Sequence, residues 1–321
     1  MRVMVTGSRG FVGSHLVKQL ADMGLRVLAF NRTPPQPEDI EFLKPVLESV
    51  EFATGDITDG RAMSTVLSEN RIGGIIHSAA VNGEAQARKF PELTLRTNVG
   101  GTLELLIAAN RAGIKKFLFI GSGVQYGPRT DLTPLKEDDP CSPRGIYPSA
   151  KQAAEMMGMA YGKLAGMDFV SVRISAPYGP MDRQDPAPTH IKFWCRAALD
   201  RTAVKLDTGG EHRRDFTYIK DAVGGIAAVY LADRPSSTVY NISSGKSYRV
   251  SEVVAILKKL IPGANLTIGG GILEVNHPQV ENSLRGPLDI SRAAKEFHFA
   301  PRYPLEEGIK EYMGWLRNHP F

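Results

Sequence analysis

The stretch MVTGSRGFVGSHL, residues 4–16, leaves few folds open to this chain. The apolar run RVMVT (2–6) reads as a buried strand and the pattern over 11–23 as a helix. Gly7, Gly10 and Gly13 fall in the turn between them, three residues apart. Such a turn needs glycine for backbone torsion, for close approach to a pyrophosphate and for helix–strand packing. The helix beyond it presents free N–H groups and the positive end of its dipole to the phosphates. Alone, three glycines mark only a tight turn. Between a strand and a helix they indicate dinucleotide binding.

The same alternation continues. Runs at 26–30, 50–54, 73–79, 116–121 and 168–174 read as buried strands, with helical patterns near 59–69, 92–112 and 148–165 between them. A doubly wound parallel α/β sheet of Rossmann type, with right-handed crossovers, follows. Beyond residue 175 the order loosens into helices near 189–200, 221–231, 251–260, 289–297 and 305–317. The expected organisation is a dinucleotide-binding domain over 1–174 and a smaller C-terminal α/β substrate lobe over 175–321. Part of the chain has room to return to the first domain. NRTPPQPED (31–39) reads as a proline-rich surface loop, and 268–287 as a long functional or mobile loop.

Composition removes other classes. The formal charge is +5, but its lysines and arginines are scattered without a long basic run, so phosphorylated ligands are expected and nucleic acid is not. Seven histidines without ligand spacing predict no metal site. Two distant cysteines, Cys141 and Cys195, form no disulfide framework. With no secretory signal and no run of eighteen apolar residues, a cytoplasmic protein without membrane contact is expected.

The end of the second strand bears on the cofactor. A carboxylate there would bond ribose hydroxyls and disfavour a 2′-phosphate. This chain has Asn31 and Arg32 there, with Arg9 in the glycine turn, and the balance leans toward NADP over NAD. Further on, Tyr147 precedes Lys151 by four residues at a helix start, which places both on one face. An ammonium beside a phenol favours phenolate and makes a general acid/base. By itself the pair suits an ordinary helix face as well as chemistry.

The motifs in order decide between those readings. TGSRGFVG, GDI (55–57), HSAA (77–80), NVGGT (98–102), GSGVQYG (121–127) and YPSAK (147–151) are followed by VRISAPYGP (172–180), RRDFTYIKDAV (213–223), YNISSG (240–245) and RGPLDISRAAKEFHFAP (285–301). The chain resembles an extended short-chain dehydrogenase/reductase of the NAD-dependent epimerase/dehydratase group over nearly its whole length. The resemblance implies a catalytic set of Ser122, Tyr147 and Lys151. It places Gly7, Arg9, Gly10, Phe11, Val12, Gly13, Asn31, Arg32, Asp56, Ile57, Ala79, Ala80 and Asn98 around the cofactor, with Asn98 more a partner of the neighbouring loops than a reactant. Tyr147 and Lys151 would touch the cofactor as well. His77 is expected to serve packing or a backbone bond.

In that resemblance Ser122, Gly123, Ala176, Arg214 and Arg285 would meet the substrate, the two arginines at a sugar nucleotide's pyrophosphate; ion pairs with Asp215 or Asp289 are their structural alternative. Dehydratases of the group carry a carboxylate just after the catalytic Ser/Thr, where this chain has Gly123 and Val124, so dehydration is disfavoured. Two readings remain: an epimerase of a nucleotide-linked sugar, and a simple dehydrogenase or reductase of a free sugar, sugar acid or related alcohol. Ala176 stands where an asparagine is usual, which points away from an ordinary UDP-hexose. A non-catalytic dinucleotide-binding module is a third reading, against which the intact Ser122, Tyr147 and Lys151 weigh. The resemblance also implies a homodimer through the helices near 92–112 and 148–165.

Overall fold

The computed structural model describes residues 2–129, 131–183, 187–272 and 285–319. Strands β1 (Arg2–Thr6), β2 (Arg26–Asn31), β3 (Val50–Thr54), β4 (Ile72–His77), β5 (Lys116–Ser122) and β6 (Asp168–Ile174) join the edge strand Val239–Ile242 in one seven-stranded sheet. Its order is Val239–Ile242, β6, β5, β4, β1, β2, β3. β1 pairs in parallel with both β2 and β4, β2 with β3, and β4 with β5. The chain thus winds outward from β1 in both directions, as in the expected Rossmann-type α/β fold. The crevice beyond the carboxyl ends of β1 and β4 is where such sheets take ligands.

Sequence explains the burial. Val27–Phe30 of β2 and Phe117–Gly121 of β5 are buried without interruption, as strands covered by helices on both faces require. Phe30, Phe117 and Phe119 are each almost wholly enclosed, and Phe117 stacks on Phe169 at 5.7 Å. Each such side chain contributes about 1.5–3 kcal/mol by leaving water.

The chain divides into two compact units. The first comprises Met1–Gln125, Pro143–Arg173 and Val223–Tyr240, and the second Tyr126–Ser142, Ile174–Ala222 and Asn241–Phe321. In the second, short strands pair Pro177–Tyr178 with Thr217–Tyr218, Arg213–Arg214 with Tyr248–Arg249, and Val204–Leu206 with Leu266–Ile268. Helices cover Ile191–Leu199, Val250–Leu260, Ser291–Phe297 and Leu305–Leu316, close to the spans expected. Tyr178 anchors an aromatic cluster there, 5.4 Å from Tyr218 and 6.4 Å from Tyr312. Of the long loop expected over 268–287, residues 273–284 lie outside the described residues. Among the described residues no helix is long and apolar enough to cross a membrane, and no cluster of side chains could hold a metal ion.

Two expectations differ from the structure. Part of 31–39 is not loop: Pro37–Leu43 is a helix, begun by the proline at its first position and by Asp39 bonding back to the Gln36 N–H at 2.8 Å. The helix expected over 92–112 is Pro91–Leu95 and Thr102–Arg111 joined by a π-helical turn, Arg96–Gly101. Such turns, with one residue extra, concentrate at functional sites.

The first unit also buries an ion pair. Glu155 of the helix Ile146–Ala165 is fully enclosed and accepts Arg173 NH2 at 2.6 Å, Arg173 Nε at 3.2 Å and the Ser171 hydroxyl at 2.6 Å. Removing one partner strands the other charge. Arg173→Leu should therefore destabilise the protein by about 3–5 kcal/mol, read as a lowered midpoint in urea unfolding. A midpoint unchanged from wild type would show that the pair is dispensable.

Candidate active site

The glycine turn is built so that only glycine fits. Gly7 takes φ +67°, and a Cβ there would stand 2.7 Å from the Ala79 backbone. A Cβ on Gly13 would stand 2.8 Å from the Gly7 carbonyl carbon. The Gly10 N–H closes the turn on Gly7 O at 2.9 Å. The helix α1 (Phe11–Asp22) starts at once, and no side chain caps its N-terminus. Its first amides, those of Phe11 and Val12, have no intrahelical acceptor. The residues present fit a pyrophosphate.

The floor of the crevice is one hydrogen-bonded chain. Thr102 Oγ1 donates to Asn98 O at 2.7 Å, so toward His77 Nε2, 3.0 Å away, it can only accept. That puts the imidazole proton on Nε2 and leaves Nδ1 to accept from Thr6 Oγ1 at 2.7 Å. Thr6 Oγ1 in turn accepts the Ser78 and Ala79 N–H groups, each at 3.2 Å. Burial, aided by the Lys151 charge, pushes the His77 pKa down to about 3 from 6.5. The unfolded chain would bind that proton more readily, so this group's stabilisation is full above about pH 6.5 and is lost as pH falls toward 3. Asn98, in the π-helical turn, accepts the Val81 N–H at 2.7 Å and donates to Val81 O at 3.0 Å, so its amide serves the loop after Ala79 and Ala80.

At the end of β2, Asn31 accepts the Arg32 and Thr33 N–H groups at 3.2 Å when its amide is turned to satisfy both ends. Arg9 donates from Nε to Asp39 Oδ2 at 2.6 Å and from NH1 to Thr33 Oγ1. Asp39 is buried, a carboxylate that the proline-rich sequence hid. Asp56 accepts the Thr58 N–H and hydroxyl at 2.9 and 2.8 Å. Burial opposes its charge, but those bonds and the nearby Arg32 and Arg96 prevail and hold the carboxyl below its usual range. Ile57 beside it is buried against Gly101.

Ser122, Tyr147 and Lys151 come together in the first unit. Ser122 ends β5, its N–H held by Gln125 Oε1 at 2.7 Å, and Gln125 is braced by Gln152 at 2.9 Å. Gly123 opens the short 3-10 turn that follows. Tyr147 lies in the first turn of the helix Ile146–Ala165, with its phenol beside Ser122. Desolvation pushes that phenol up to about 12, with Ser122 acting the other way. Lys151 is buried one turn on, donating to Ile120 O at 2.8 Å with Nζ 4.8 Å from the centre of the Phe119 ring. Burial draws its pKa down to about 8, against the pull of Glu155. The expected acidifying of the phenol by Lys151 is thus not what the geometry shows, because the ammonium serves a backbone carbonyl.

The second unit holds the other expected residues. Arg214 lies in a short strand, with NH2 3.2 Å from Thr189 Oγ1. Burial and the neighbouring Arg285 charge lower its pKa to about 10; Arg285 is likewise drawn to about 10 by burial, against Asp215. Asp215 bonds the Ser244 hydroxyl at 2.6 Å and the Leu288 N–H at 2.9 Å, while Asp289 bonds Ser291. Ala176 is held at φ +32°, its carbonyl accepting the Thr217 N–H at 3.2 Å. The sequence motifs do not single out Gln125, Asp39 or Glu84, and the Glu84 carboxylate accepts the Ile146 and Tyr147 amides. The one sequence signal for Glu84 is that Gly145, before the helix, has no side chain to cap it.

A doubly wound sheet with this glycine turn defines a dinucleotide-binding protein of the Rossmann class. Residues 3–243 match the NAD dependent epimerase/dehydratase family, and the chain belongs to that family, an enzyme of the extended short-chain dehydrogenase/reductase type. One relative is the UDP-glucuronate 4-epimerase of Thermodesulfobacterium geofontis, 28% identical over 98% of this chain and 96% of that one. The UDP-glucose 4-epimerase of Thermotoga maritima, solved with UDP-glucose, superposes with a TM-score of 0.85 at 26% identity, over 100% of both chains. The UDP-glucose 4-epimerase of Thermus thermophilus, solved with NAD, gives 0.84 at 25% identity, over 99% of this chain and 100% of that one.

Proposed function

We propose that this enzyme epimerises a nucleotide-linked sugar at a carbinol carbon. The observation that carries the proposal is the Tyr147 phenol set beside Ser122 one helical turn from the buried Lys151. A nicotinamide dinucleotide, when bound, supplies a reversible hydride acceptor. Tyr147 in its phenolate form takes the hydroxyl proton as the carbon is oxidised, and the resulting phenol returns it when the opposite face is reduced. Ser122 holds the same oxygen and stabilises its alkoxide character. Lys151 has three N–H donors, of which Ile120 takes one, and the others would hold the cofactor ribose. Gly123 and Val124, which cannot move protons, leave no group for eliminating water.

Arg214 and Arg285 support a diphosphate in the substrate. The Arg285 charge lowers the Arg214 pKa, so a dianion suits the pair, and the fork geometry suits phosphate oxygens. Ala176 favours a second reading, a dehydrogenase acting on a smaller or differently decorated sugar, since a strained alanine offers no amide to an ordinary hexose.

For the cofactor we propose NADP over NAD, because Arg9 is aimed by Asp39 at the end of β2 beside Arg32. For assembly we propose a homodimer. Leu95, Met156 and Leu164 expose 52%, 58% and 83% of their surface on the helices expected to pair, and apolar side chains there would be covered by such pairing.

Tyr147→Phe should fold, bind cofactor and lose turnover by about 10²-fold or more; a rate near wild type would exclude the proton role. In cofactor titrations NADP should bind about tenfold tighter than NAD, and Arg9→Gln should erase the difference. Equal affinities in wild type would remove the NADP assignment. Leu164→Glu should shift the mass seen by light scattering from dimer to monomer, whereas a wild-type protein that is already monomeric contradicts the pairing.

A further inference from the structure

The helix that carries Tyr147 has no cap of its own. Gly145 precedes it at φ +102°, with no side chain to accept the first amides. Yet every N–H of the first turn is accounted for. The Ile146 N–H goes to Glu84 Oε1 at 3.2 Å and the Tyr147 N–H to Glu84 Oε2 at 2.9 Å. Pro148 has no N–H, and the Ser149 N–H returns to Gly145 O at 3.3 Å. The cap is a carboxylate from a helix about sixty residues upstream in sequence, Glu84–Lys89.

Two further features show that the contact is built. A Cβ on Gly145 would stand 2.7 Å from the Glu84 carboxylate, so glycine there makes the room that the carboxylate fills. Arg88, one turn along, donates from Nε to Glu84 Oε1 at 3.1 Å and fixes the carboxylate from behind. A full negative charge at a helix N-terminus also complements the dipole. Uncapped first turns fray, and Tyr147 is the second residue of this one, whereas Lys151 sits a turn deeper in packed helix.

We infer that Glu84 is a positioning residue for the reaction: its carboxylate pins the backbone of Tyr147 so that the phenol keeps its place against Ser122 and Lys151. The inference rests on the proton role proposed for Tyr147. Glu84 itself touches neither phenol nor reacting atoms. Its effect is on where the phenol stands, so its loss slows the chemical step and leaves cofactor binding intact.

The test compares E84Q, E84D and Y147F with wild type, as turnover per cofactor-binding site counted by titration with NADPH. That count removes any loss of folded protein from the comparison. E84Q keeps the size of the side chain but loses the charge and one acceptor oxygen. It should lose about 10- to 100-fold in kcat with KM and cofactor affinity changed less than about threefold. E84D keeps charge and both oxygens on a shorter stem and should lose less than E84Q. If E84Q matches wild type while Y147F is inactive, or if E84D is the poorer of the two, Glu84 fills space and positions nothing. If Y147F itself turns over at the wild-type rate, the proton role fails and the inference falls with it.

Discussion

The structure depends on how closely the backbone at Gly7 can be approached. Gly13 packs on the Gly7 carbonyl, and Gly7 packs on Ala79, both at distances that leave no room for a Cβ. These two contacts set α1 against β1 and draw the loop after β4 to the same point. A methyl group at either would push helix, strand or loop away from its neighbours. Everything expected of the cofactor site is measured from that turn, because the helix amides, the end of β2 and the loop after β4 all converge on it.

Polar groups beneath the turn keep it in place. Thr6, His77, Thr102 and Asn98 form one chain of bonds from the end of β1 through β4 to the π-helical turn. Each donor in it has an acceptor, which is why a histidine can be buried there without charge. Wholly satisfied buried networks specify one arrangement, and a half-satisfied one would cost more than an apolar core. The extra residue of the π turn has a purpose in this light, since it is where Asn98 reaches the Val81 backbone. Glu155, Arg173 and Ser171 do the corresponding work under Lys151.

Much of this was legible beforehand, and for physical reasons. Short runs rich in β-branched and aromatic residues stand out between helical patterns, so β1, β3 and β6 were read to the residue. Glycines needed for close approach stand at fixed spacing, and Tyr147 and Lys151 share a helix face. Three things were not legible. Prolines at 34, 35 and 37 suggested loop, but the last of them starts a helix, and that helix brings Asp39 to Arg9. A π turn leaves no mark on apolar periodicity. Contacts between segments far apart in sequence, such as Glu84 with Tyr147, or Lys151 with Ile120, follow from the assembled fold and not from any local pattern.

The central claim is that a hydride leaves a carbinol carbon of a nucleotide-linked sugar and comes back to its other face. Anaerobic incubation in D2O with NADP and a panel of UDP- and dTDP-sugars, followed by NMR, tests it most directly. The account predicts a new stereoisomer that carries no deuterium at the inverted carbon, with no net accumulation of reduced cofactor. Deuterium at that carbon would mean inversion by deprotonation, and steady accumulation of reduced cofactor with an oxidised sugar would mean a dehydrogenase; either result contradicts the account.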